Sequence, residues 1–163
     1  MSLKAASAEL IGVLDRSGYA SAHVLAHQLG AMVALQAAAD HPDRITRLVV
    51  SGALLLPGKL ALRMQKAALR MLPVRGLEQT GLNKDDLVRV LDVMAEADFS
   101  SRLEAITAPT LVIVGQSDAT GQVSAKSLAE KLPRGRLAVI PGGAHPILEN
   151  SDAYNRVLLE FLA

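Results

Sequence analysis

The chain has 163 residues, enough for one domain with a single core. Half the residues are hydrophobic and a fifth are charged, with a net charge of +1. This is a globular composition with no basic stripe or acidic tail, and it nominates no nucleic-acid partner. Two Phe, two Tyr and no Trp leave no aromatic platform for stacking single-stranded bases. The absence of cysteine removes disulfides, thiolate metal sites and cysteine nucleophiles.

Met1 to Ser7 lack the long apolar run of a signal peptide. No apolar run approaches the ~20 residues needed to cross a bilayer, so a cytoplasmic protein with no membrane partner is expected. Residues 4–17 place Leu10, Ile11 and Leu14 on one helical face, and Gly18 is the expected stop. A short apolar strand, His23 to Ala26, runs through a tight turn into a helix reaching about Asp40. His41-Pro-Asp closes that helix, because proline cannot continue it. Arg47 to Gly52 reads as a second buried strand.

Residues 57–98 change character. Pro57-Gly58, a basic amphipathic stretch from Lys59 to Leu72, Pro73 and a further helix to about Ala97 read as a helical insertion. Asn83 is its expected N-cap. Ala108 to Gly115 is a third strand with a β-branched run, followed by a helix over about 123–132. Arg136 to Pro141 is a fourth strand. A loop then carries Gly142-Gly-Ala-His-Pro146, and a last helix spans about 152–162, capped by Ser151 or Asn150. Strands that alternate with helices and are nearly continuous in apolar character predict an α/β fold with a four-stranded parallel sheet covered on both faces.

Four segments, in order, resemble the α/β-hydrolase family. The turn Ala26-His-Gln-Leu-Gly30 is similar to the family's Gly-x-Ser-x-Gly elbow. The helix that follows ends in Ala39-Asp-His-Pro-Asp-Arg-Ile-Thr-Arg-Leu-Val-Val. Ile106 to Asp118 resembles the strand whose following aspartate is the family's triad acid. Leu137 to His145 resembles the strand and loop that carry its triad histidine. The resemblance implies a truncated α/β-hydrolase domain over 1–163 with a helical cap at about 57–98. Leu60, Leu62, Met64, Leu69, Met71 and Leu72 would either line a pocket or simply cover the sheet. Small esterases and related acyl hydrolases are the nearest type. The implied substrate is a small ester or acyl compound, with no cofactor.

Two departures from the family pattern matter. Gln28 stands at the nucleophile position, and a carboxamide cannot serve as a covalent nucleophile. The family's N-terminal strands and the loop donating one oxyanion-hole N–H are absent, leaving the Leu29 N–H as the other donor. The resemblance then implies a degenerate site with a retained dyad: His145 as base and Asp118 as its orienter. The alternative role for Asp118 is a turn or helix cap. Gln is also a poor guest in strained elbow backbone, so a relaxed turn is expected. Ala26 and Gly30 stay small, as close strand–helix approach would require.

Other groups carry less. His27 is expected to pack under the turn, and His23 carries no motif. No carboxylate sits at ligand spacing with these histidines, so no metal site is expected. Ser51 is a substitute nucleophile only if it faces the site, and Ser117 more simply turns the chain. With the N-terminal strands absent, the elbow strand becomes a sheet edge. Its unpaired N–H and C=O groups predict a homodimer through that edge. Competing readings are a non-catalytic ligand-binding or interaction protein on the same frame, and a truncated gene product.

Overall fold

The computed structural model describes residues 2–53 and 102–163. The expected cap insertion at 57–98, with its Asn83 cap and Met-rich stretch, lies outside the described residues. In chain order the elements are α1 (Leu3–Arg16), β1 (Ala22–His27), α2 (Leu29–Asp40), β2 (Ile45–Ser51), a 3-10 turn (Leu103–Ala105), β3 (Thr110–Gly115), α3 (Ala119–Lys131), β4 (Gly135–Ile140), α4 (Pro146–Glu149) and α5 (Ser151–Leu162). The four strands form one parallel sheet in the order β1-β2-β3-β4, with helices flanking it. This is the α/β architecture that the strand–helix alternation predicts.

Local chemistry explains the element ends. Ser2 caps α1 by accepting the Ala5 N–H, and Gly18 follows its end at φ 74, a conformation glycine adopts freely. Leu3, Ser7, Ile11 and Leu14 bury one stripe of α1, while Leu10 lies at its margin. Near the other end of the chain, Asn150 caps α5 by accepting the Ala153 N–H. Helix α3 begins earlier than its apolar periodicity suggests, because Asp118 caps it at Ala119.

The core follows the period-two pleat of β2 and β3. Val49, Leu111 and Ile113 pack with Ile140, Tyr154 and Phe161 on the α5 side of the sheet. The alternate residues Leu48, Val50 and Val112 face away from α5 and are equally buried. Helix α2 packs on β1 and β2, and α3 on β3 and β4. The Arg47 guanidinium lies over the Phe161 ring and donates to the Phe161 carbonyl, tying the end of α5 to β2. Strand β1 differs from its neighbours: among the described residues it pairs with β2 alone, and Leu25 is 47% exposed. None of the described helices is long and apolar enough to cross a membrane.

Candidate active site

The C-terminal ends of β1, β3 and β4 gather the residues that the sequence singles out. Parallel strands all point their carboxyl ends the same way, so their following loops converge. β1 ends at His27 opposite Ser51, and the Gln28 N–H donates to the Ser51 carbonyl at 2.8 Å. Helix α2 starts at once with Leu29.

Gln28 sits at φ 50, ψ −120, making it the single non-glycine residue with positive φ among those described. The expected relaxation of the turn does not occur. The physical reason is that its frame over-determines it: sheet register holds one side and the first turn of α2 holds the other, whatever side chain stands between them. Such backbone costs on the order of 1–3 kcal/mol and persists only with this support. Gly52 makes room on the facing side, since a Cβ there would meet Gln28 Cγ at 3.1 Å and His27 Cε1 at 3.2 Å. Gly30, by contrast, faces open space among the described residues, so its smallness is not what the turn depends on. The Leu29 N–H is the first of α2 and has no intrahelical acceptor, which leaves it directed outward at the helix start.

His145 meets the elbow. Its Nδ1 lies 3.1 Å from Gln28 Nε2, across 117 residues of chain. The Gln28 NH2 group donates and the imidazole nitrogen accepts, which places the neutral ring's proton on Nε2. The loop carrying His145 is built tightly. A Cβ on Gly115 would lie 2.0 Å from the Gly143 carbonyl oxygen, so only glycine lets the end of β3 approach that loop. The Ser117 N–H donates to the Gly142 carbonyl at 2.9 Å. Glu149 closes the loop from below by accepting the Gly143 and His145 N–H groups. The Gly143 bond, then the His145 bond, hold its carboxyl below the ordinary carboxylate range against a small opposing effect of burial. The nearby imidazole acts in the same direction. Glu149 is the loop-holding residue that motif reading passes over. A glutamate reaching back to the residue that precedes its helix is the visible signal for it.

Asp118 is elsewhere engaged. Its Oδ1 accepts the Gly121 N–H at 2.8 Å, and a Cβ on Gly121 would fall 2.0 Å from its Oδ2. Among the described residues no hydrogen bond or ion pair joins Asp118 to His145. The direct dyad contact that the resemblance implies is therefore absent here, because the carboxylate is committed to capping α3.

Ser51 is fully buried, between His27 Nδ1 at 2.9 Å and Tyr154 Oη at 3.2 Å. A hydroxyl enclosed in this way cannot reach a substrate, which removes Ser51 as a substitute nucleophile. Burial first, and the His145 charge second, push the His27 imidazole below its ordinary value, against a contribution from the Ser51 carbonyl. Burial raises the Tyr154 phenol, and the Ser51 bond works the other way. His23 Nδ1 lies 2.6 Å from Thr46 Oγ1 on the neighbouring strand, away from the site. Among the described residues no group of three His, Cys, Asp or Glu side chains could hold a metal ion.

Comparison with known proteins agrees with the fold. Residues 5–73 match the family model described as alpha/beta hydrolase fold. A protein of Variovorax paradoxus named putative carbamate hydrolase RutD is 30% identical over 95% of this chain and 71% of its own length. A protein of the same name from Yersinia enterocolitica is 28% identical over 94% of this chain and 67% of its own length. Among solved structures, a hydrolase from Pseudomonas aeruginosa superposes with a TM-score of 0.79 at 23% identity, covering 100% of this chain and 72% of that one. An enol-lactonase from Burkholderia xenovorans superposes with a TM-score of 0.73 at 19% identity, over 99% of this chain and 73% of that one.

Proposed function

The chain belongs to the α/β-hydrolase family, and on that premise we propose that it takes a small acyl compound of the ester or carbamate class at the elbow. Hydrolysis there uses water and no acyl-enzyme. The observation that carries this reading is the Gln28–His145 hydrogen bond at a turn that keeps its strained backbone. A carboxamide offers a donor at one end and an acceptor at the other. In the arrangement observed the Gln28 NH2 donates to Nδ1 and the proton sits on Nε2. When the amide turns over so that Oε1 faces the ring, Gln28 accepts from Nδ1–H and leaves Nε2 free as a base. Nε2 then takes a proton from water as the hydroxide oxygen bonds to the acyl carbon. The same proton passes to the leaving oxygen or nitrogen as that bond breaks. The Leu29 N–H supports the oxyanion. The carbamate class is drawn from the names of the relatives, and the ester class from the sequence pattern.

Asp118 enters this scheme only by releasing the Gly121 N–H and turning to His145. Hydrolysis of p-nitrophenyl acetate and p-nitrophenyl carbamate by the full chain tests the reading. His145→Ala should lower turnover about 100-fold or more, the usual weight of a general base. Gln28→Ser should raise turnover and create a fluorophosphonate-reactive group that the native chain lacks. Unchanged turnover in His145→Ala sinks the mechanism. Saturable ligand binding without turnover favours the second reading, a binding protein on this frame.

The outer edge of β1 is part of the same proposal: it pairs with a second copy of the chain. Its support is the unpaired outer edge among the described residues and the exposure of Leu25. Sedimentation should show a dimer that Leu25→Lys dissociates. A native monomer at micromolar concentration would count against it.

A further inference from the structure

A second imidazole lies behind the elbow, and the scheme above leaves it without a task. The His27 ring meets the His145 ring edge-on, with centroids 6.0 Å apart and planes at 63°. Behind His27 run Ser51 and Tyr154, at 0% and 1% exposure, linked ring to hydroxyl to hydroxyl. The direction of this chain follows from counting protons. Tyr154 has one O–H, and among the described residues its one hydrogen-bond partner is Ser51 Oγ. The Tyr154 proton therefore goes to Ser51, and the Ser51 proton goes to His27 Nδ1. The reverse order strands a buried Tyr154 O–H without an acceptor, which is costly in a dry interior. His27 then carries its own proton on Nε2 and stays neutral.

We propose that His27 is a positioning residue for His145: the Tyr154–Ser51–His27 chain locks a neutral ring edge-on against the His145 imidazole and holds that imidazole where it meets Gln28. The proposal rests on His145 being the working group of the site. Among the described residues the groups facing His27 are Ser51 from β2, which is bonded in turn to Tyr154 from α5, and His145 from the loop before α4. Glu149 acts on His145 from α4 through the loop backbone. Burial and the His145 charge both favour the neutral His27 ring, which the chain needs.

Histidine side-chain NMR on the full-length protein, without substrate, tests this separately from hydrolysis. In the native chain His27 should show the Nε2–H tautomer, and cross-peaks should connect the two imidazoles. Ser51→Ala should raise the His27 titration midpoint, release the Nδ1–H tautomer and weaken the ring–ring cross-peaks. It should also shift the Gln28 side-chain amide signals. Tyr154→Phe, which keeps the ring packed in the core, should act in the same direction but less strongly. His145→Ala should raise the His27 midpoint, because it removes the nearby charge that lowers it. An Nδ1–H tautomer in the native chain overturns the proposal. So do ring–ring cross-peaks and Gln28 signals that are unchanged in both Ser51→Ala and Tyr154→Phe. If these signatures hold while turnover survives His145→Ala, the positioning stands and the hydrolytic scheme falls.

Discussion

The turn after β1 and the turn after β3 are shaped by opposite kinds of contact. At the elbow the backbone holds a strained conformation with Gln28 at its tip. At the second turn the Asp118 carboxylate is engaged by its own helix, accepting the Gly121 N–H. The contrast shows where each kind of information is stored. Elbow strain is imposed from outside, by register with β2 and by the start of α2, so it does not depend on which side chain stands at the tip. A carboxylate's direction is decided within three residues, and Gly121 at the right offset captures it locally.

The largest expected effect breaks the framework shared by both turns. Gly115→Ala puts a Cβ against two backbone carbonyls of the His145 loop, neither of which can yield as a flexible side chain would. A loss of about 3 kcal/mol is expected in urea unfolding, together with loss of the Gln28–His145 contact by NMR. A fully stable variant with that contact intact would show that the close approach is not required.

The next two substitutions sharpen the contrast turn by turn. Gln28→Gly should stabilise the fold by about 1 kcal/mol, because glycine occupies positive φ without penalty. Chemical denaturation reads this directly, and a loss of stability would mean the Gln28 side chain contributes more than its backbone costs. Asp118→Ala should cost about 1 kcal/mol through the lost cap, whereas Asp118→Asn should keep most of it. Hydrolysis by Asp118→Asn then decides its second role. A fall as deep as that of His145→Ala would make Asp118 an orienter and erase the difference between the turns.

The smallest effects are in acid. His27 in the folded chain lies below its ordinary value of 6.5, so the unfolded chain binds more protons as pH falls through that value. Its stabilising contribution is complete above about pH 6.5 and is lost as pH falls toward the folded value. His27→Gln should flatten this limb of a stability-against-pH curve. Asp40 adds a lower limb. Burial works to raise its carboxyl, but bonds from Gln36 and Arg102 and the charges of Arg102 and His41 outweigh it and leave it lowered. That contribution is present above the ordinary value of 3.8 and lost as pH falls through the depressed one. Asp40→Asn should flatten it only slightly, because burial offsets part of what its bonds and neighbouring charges contribute.

Much of this molecule is legible in one dimension. The apolar runs of β2 and β3 announce a doubly covered parallel sheet, and Gly18, the His41-Pro-Asp segment and Asn150 mark helix ends through local backbone chemistry. The elbow, the aspartate and the histidine stand in family order along the chain. Less was legible where the controlling contact is short but shapes a boundary: the Asp118 cap moves the start of α3, and Pro146 with Glu149 makes a four-residue helix that no periodicity reveals.

Periodicity, turn chemistry and motif order act over a few residues, so the sequence by itself determined the fold class, the element order and which side chains to suspect. Tertiary structure decided how those side chains are used. Gln28 reaches His145 across 117 residues, and Ser51 reaches Tyr154 across 103. Such pairings depend on strand register and loop closure, which place atoms to within an ångström only after the whole sheet has formed.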